Sequence, residues 1–182
     1  MDDARLAAVV DDLVARYQVP GMSVGLLHGN AITLAASGVR NAFTGEAATS
    51  DTLYQIGSLT KMYTATLVMQ LVDEGRLTLD DSVLTHLPEL HLAGEPDLHP
   101  ITVRMLLTHT SGIEGDSFFD TGRGDDAIAA LIPRLTEIGL IHEPGAQWSY
   151  CNTGLVLAGR IVEKLTGMPW HRALTTRLVK PM

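Results

Sequence analysis

Every stretch of this chain that favours β structure lies before Gly57, and the residues beyond it read as helix and loop. Met22-Ser23-Val24-Gly25-Leu26-Leu27 and Ala31-Ile32-Thr33-Leu34-Ala35-Ala36 flank Gly29-Asn30, the pattern of a hairpin. Leu53-Tyr54-Gln55-Ile56 adds one short extended piece, and Thr44 to Ser50 reads as loop. A lone hairpin is marginal in water and needs further strands over its face. Nothing after Ser58 supplies them, and the tail Leu178-Val179-Lys180-Pro181-Met182 has no turn chemistry that marks an end. The expectation is an α/β (α+β) protein with an antiparallel sheet, an all-helical subdomain, and C-terminal strands missing from this chain.

The helices are set by spacing. Leu6, Val9, Val10, Leu13 and Val14 predict a helix over Asp3 to Tyr17, stopped by Pro20-Gly21. Ser58 to Glu74 is the clearest helix, with a wide apolar face and Gly75 placed for a left-handed cap. Shorter helices are predicted at Ser82 to Leu87 and Val103 to Thr108. Amphipathic helices are predicted at Asp125 to Ile138 and Asn152 to Leu165, and a last one from Pro169 to Leu178. His91 to Pro100 and Gly112 to Gly124 read as loops. This divides the chain into residues 1–57, an N-terminal helix with strands, and residues 58–182, a helical subdomain. No internal repeat and no low-complexity segment is visible.

Composition narrows the function classes. The 182 residues are 46% hydrophobic and 19% charged, the balance of a globular core. A net charge of -8 without a Lys/Arg cluster repels phosphate backbones, so no nucleic-acid partner is expected. No apolar run approaches the roughly 18 residues of a membrane span, so no membrane partner is expected either. One cysteine, Cys151, forms no internal disulfide, and Met1-Asp2-Asp3-Ala4-Arg5 lacks the form of a signal peptide. The plain expectation is cytoplasmic, or secreted or periplasmic if a signal has been removed.

The chemistry starts at Gly57-Ser58-Leu59-Thr60-Lys61. Ser58 stands at the start of a strong helix, where free N–H donors and the helix dipole favour the negative charge of an acyl-transfer intermediate. Lys61, three residues on, shares its face. A serine hydroxyl needs a base, and a lysine serves when burial or a cationic neighbour lowers its pKa. Taken alone the pair also fits an N-cap serine and a solvated lysine. The second element is Tyr150-Cys151-Asn152, leading into the next helix. Residues alternating along extended chain face one side, so Tyr150 and Asn152 can act together. A phenol can shuttle a proton, and the Asn152 amide can donate to a substrate carbonyl or accept from Lys61. The structural alternatives are a tied-off tyrosine and Asn152 as a helix N-cap.

Ser58-Leu59-Thr60-Lys61 and Tyr150-Cys151-Asn152 resemble the first two motifs of the penicillin-binding-protein and serine β-lactamase superfamily. They resemble most the class C branch, with its esterases and D-aminopeptidases, where Tyr-x-Asn replaces Ser-Asp-Asn. Leu77 to Val83, Ile101 to Ile113 and Pro144 to Gly167 are similar as well, so the resemblance covers nearly the whole chain. It implies Ser58 as nucleophile, Lys61 and Tyr150 sharing the proton work, and Asn152 binding substrate. Whether Lys61 or Tyr150 is the base stays open. The third motif, Lys-Thr-Gly or His-x-Gly, is absent; Lys164-Leu165-Thr166-Gly167 ends a helix and has one residue too many. The chain is therefore expected to be incomplete. Cys151 fills a position where small residues are usual, which implies packing.

The remaining candidates are weaker. His28, His86, His91, His99, His109, His142 and His171 form no zinc-type helix pair, so neither metal nor cofactor is expected. His109 resembles a residue that ties a buried turn; the rival, a triad with Ser111, lacks the Gly-x-Ser-x-Gly elbow. The loop Glu114 to Gly124 with Phe118 and Phe119 either rims the site or is ordinary surface. Two functions compete. One is a serine hydrolase acting through an acyl-enzyme on esters, β-lactams, small amides or D-amino-acid peptides. The other is a non-catalytic half-domain that assembles with another chain, as a homo-oligomer or with a complementing C-terminal segment.

Overall fold

A computed structural model describes residues 2–182 and divides the chain into two compact units, one running to Gln55 and one starting at Ile56.

In the first unit, helix α1 (Asp3–Tyr17) opens with the Asp2 carboxylate accepting the Arg5 N–H and closes at Gln18 in the left-handed region. Strands β1 (Gly21–His28) and β2 (Ala31–Gly38) pair antiparallel with Leu27 opposite Ile32 and Val24 opposite Ala35, the hairpin that the Gly29-Asn30 turn predicts. Gly29 has φ 60°, which the reversal requires. Because strand side chains alternate, Met22, Val24 and Leu26 pack with Ala35 on Leu6 and Val10 of α1. The opposite face leaves Leu27, Ile32 and Leu34 more than half exposed. Leu53 to Ile56 joins no sheet, and among the described residues the sheet has two strands.

The second unit is helical. A 3₁₀ turn, Gly57–Leu59, leads into α2 (Thr60–Asp73). The helix ends as Gly75 predicts: with φ 69° there, Gly75 N–H reaches the Val72 carbonyl and Arg76 N–H the Leu71 carbonyl. Short helices α3 (Val83–His86) and α4 (Val103–Thr108) come next, each with its Ser82 or Thr102 hydroxyl capping the first turn. The helix predicted from Asp125 to Ile138 is not continuous. It is α5 (Ala127–Leu131), then a 3₁₀ stretch over Ile132–Glu137, because Pro133 has no N–H and crowds the carbonyl a turn back. Helix α6 (Asn152–Thr166) runs to Gly167, and α7 (Trp170–Leu174) gives way to a π-helical stretch at Thr175–Val179.

The core gathers Leu67, Val68 and Leu71 of α2, Leu106 of α4, and Leu157, Ile161 and Val162 of α6. Gly154 lets α6 approach α4, since a Cβ there would lie 3.2 Å from the Leu106 carbonyl. The Glu163 carboxylate, buried in α6, accepts the Trp170 N–H and the Arg160 guanidinium, which ties α7 to α6. Packing of α2 against α6 brings the two sequence motifs side by side. Among the described residues no helix is long and apolar enough to cross a membrane.

Candidate active site

Ser58 sits in the 3₁₀ turn ahead of α2 and Lys61 in its first turn, so a separation of three residues puts both on one face. Lys61 Nζ donates to Ser58 Oγ at 3.0 Å. The structural alternative, Ser58 as a helix cap, does not occur: Leu59 holds the N-cap position, with no side-chain cap bond.

Tyr150 arrives from the far end of the unit. Its Oη donates to Ser58 Oγ at 2.7 Å, and Lys61 Nζ stands 4.9 Å from its ring centroid. The Lys61 ammonium, then the Ser58 bond, hold the phenol below its ordinary pKa. Ser58 Oγ thus takes two proton donors at once.

The segment carrying Tyr150 is stitched on both sides. Ser149 N–H bonds the His109 carbonyl, Cys151 N–H bonds His109 Nδ1, and Asn152 N–H bonds the Gly115 carbonyl at 3.1 Å. The loop comes that close because residue 115 is glycine: a Cβ would lie 2.6 Å from Cys151 Cα and 2.8 Å from the Tyr150 carbonyl oxygen. The N-cap of α6 is Cys151, whose Sγ accepts the Gly154 N–H. Asn152 is therefore not the cap. Its amide donates to Asp116 Oδ1 at 3.3 Å, and no bond joins it to Lys61. Cys151 is buried, its thiol donates to the Ile113 carbonyl, and burial pushes its pKa up, which makes it an inert packing and capping residue.

Lys61 and Asn152 line one cleft of about 290 Å3 between α2 and α6. Thr60, Leu155, Val156 and Trp170 form its walls together with Phe118, so that aromatic does reach the cleft while Phe119 packs toward the core under Arg134. Ser111 is buried and its Oγ accepts the Ile113 N–H, which removes the rival triad. Among the described residues no three His, Cys, Asp or Glu side chains could hold a metal ion. Sequence reasoning missed Gly115 and Asp116; a lone glycine in a polar loop carries no local sign of the close approach it permits.

The fold and this Ser–Lys–Tyr grouping define a β-lactamase/transpeptidase-like protein. The family model described as Beta-lactamase matches residues 6–182, and the chain belongs to that family. It is 43% identical, across its full length, to penicillin-binding protein 4 of Amycolatopsis lactamdurans, of which it spans 48%. The D-amino acid amidase of Ochrobactrum anthropi SV3, solved with L-phenylalanine amide, superposes with a TM-score of 0.83 at 31% identity, covering 98% of this chain and 50% of that one. The octameric penicillin-binding protein homologue of Pyrococcus abyssi gives 0.79 at 31% identity, covering 100% and 43%. The chain spans about half or less of the length of these relatives.

Proposed function

We propose that Ser58 is the nucleophile of a serine hydrolase that works through an acyl-enzyme, with Lys61 and Tyr150 moving its proton and Asn152 holding substrate. One observation carries this reading: the Ser58 hydroxyl lies within hydrogen-bond reach of both Lys61 Nζ and Tyr150 Oη. In the resting arrangement both neighbours donate, so Ser58's own hydrogen points elsewhere. Loss of the Tyr150 proton reverses that bond, and Ser58 then donates to a phenolate that the Lys61 charge stabilises. Attack forms the Ser58 Oγ–carbonyl bond, the serine proton passes to Tyr150, and from there it goes to the leaving group as its bond to the carbonyl carbon breaks.

The candidate substrates are esters, β-lactams, small amides and D-amino-acid peptides. The apolar walls beside Lys61 suit an acyl group with a hydrophobic side chain. The test is the intact mass after exposure to a fluorophosphonate and, separately, to a penicillin. One adduct per chain, absent in Ser58→Ala, supports the reading and ranks the two chemistries. Wild-type chain that stays unmodified by both reagents would refute it for this chain.

The exposed face of the hairpin favours a second reading, in which a further polypeptide segment, or another copy of this chain, covers Leu27, Ile32 and Leu34. Light scattering of the purified chain tests the second copy: a monodisperse monomer at high concentration counts against self-assembly.

A further inference from the structure

His109 holds three consecutive residues of the Tyr-x-Asn segment at once. Its carbonyl accepts the Ser149 N–H at 2.8 Å, and its Nδ1 accepts the Cys151 N–H at 3.0 Å. Its ring lies over the Tyr150 ring, centroids 4.6 Å apart and tilted by 31°, with Trp148 edge-on at 6.0 Å. The imidazole is itself placed by the backbone: His109 closes α4 in the left-handed region at φ 61°, its N–H bonded to the Met105 carbonyl. Tyr150, by contrast, is exposed, and its hydroxyl reaches Ser58 from the end of a long side chain.

We propose that His109 is the positioning residue for Tyr150, its Nδ1 setting the backbone register and its ring bracing the phenol so that Oη meets Ser58. The functional meaning rests on Ser58 being the nucleophile; the positioning itself does not. A 2.7 Å contact made by an exposed phenol is lost with a shift of about 1 Å, the scale at which misplacement costs up to about 100-fold in rate.

An acceptor at Nδ1 requires a neutral ring with any proton on Nε2. Burial, then the Lys61 charge, hold His109 below the ordinary histidine range, and the Cys151 N–H donated to Nδ1 favours the neutral ring as well. The charged and hydrogen-bonding groups that act on it are Lys61 from α2 and the Cys151 N–H from the segment it braces, with the Tyr150 ring packed against it; Asp116 acts on Tyr150 and Cys151 from the neighbouring loop. Protonation turns Nδ1 from acceptor to donor, facing the Cys151 N–H, and adds a second cation beside Lys61. The site thus stays intact through the ordinary histidine range and comes apart only as the pH falls through the lower value of the folded imidazole.

The experiment compares wild type with His109→Ala, His109→Asn and His109→Phe. Two readouts are the Tyr150 titration midpoint, followed at its Cζ carbon by NMR, and the pH profile of Ser58 labelling by a fluorophosphonate. Asparagine tolerates positive φ and can offer Oδ1 to the Cys151 N–H; phenylalanine keeps only the ring. The expected result in His109→Ala is a Tyr150 midpoint that rises toward about 10 and labelling slowed roughly 10- to 100-fold. His109→Asn recovers most of both and lacks the acid limb of the wild-type profile, and His109→Phe recovers part. A Tyr150 midpoint unchanged in all three variants overturns the proposal. If Ser58 is labelled neither in the wild type nor in any variant, the nucleophile reading fails, while the Tyr150 titration still decides the role of His109.

Discussion

At the scale of single residues, the site turns on one oxygen with two proton donors. Ser58 Oγ, Lys61 Nζ and Tyr150 Oη meet at 3.0 and 2.7 Å, and the phenol titrates low because the ammonium stands beside it. Removing the Tyr150 hydroxyl leaves Lys61 alone on Ser58. Tyr150→Phe is expected to slow fluorophosphonate labelling by about 10²-fold or more, the usual worth of a positioned acid–base group. Circular dichroism should be unchanged, since the side chain is exposed and carries little of the core. Asp116, which takes the Asn152 amide, sets where that amide points.

At the scale of elements, two helices and a loop hold the site. Cys151 starts α6 by accepting the Gly154 N–H, so its sulfur is a cap as well as core. Cys151→Ala is expected to lower the stability in urea unfolding by about 1–2 kcal/mol, whereas Cys151→Ser, which keeps an acceptor, loses less. The native thiol should resist a membrane-permeant maleimide until the chain is unfolded. The loop at Gly115 meets the Tyr-x-Asn segment with no room for a methyl group. Gly115→Ala is expected to cost about 1–3 kcal/mol and to reduce Ser58 labelling per folded molecule, because relief of the clash moves Tyr150. Unfolding curves and labelling rates measured on the same samples separate the two effects.

At the scale of the whole molecule, charge couples stability to pH. His109 sits below the ordinary histidine value when folded, so folding favours its neutral form. Its contribution is complete above about pH 6.5 and declines as the pH falls from there through the folded value. Asp80 is held low by the Arg104 bonds at 2.9 and 3.1 Å, and Asp81 by the Thr78 hydroxyl and N–H, then by His86. Their contributions stand above about pH 4 and are lost as the pH falls through the folded values. The midpoint of thermal unfolding is therefore expected to drop in two stages on acidification, with His109→Asn removing the first. A midpoint flat between pH 7 and 5 would contradict the first stage.

What could be read in the residues alone was local. Gly29-Asn30 between two β-favouring runs set the hairpin, and the apolar spacing set α1 and α6, because turns and helices are decided by bonds spanning a few residues. Ser58 beside Lys61 comes from the same periodicity. The helix drawn through Pro133 was an error of the same local kind, since a missing N–H outweighs an amphipathic pattern. Tyr150 could be singled out as a proton-carrying phenol beside Asn152, but its pairing with Ser58 came only through a resemblance, because a partner 92 residues away leaves no periodic trace. The neutral Nδ1 of His109 and the close approach at Gly115 were settled by how α4, α6 and the intervening loop pack. Each depends on distances between segments remote in the chain, and only the tertiary structure determines those.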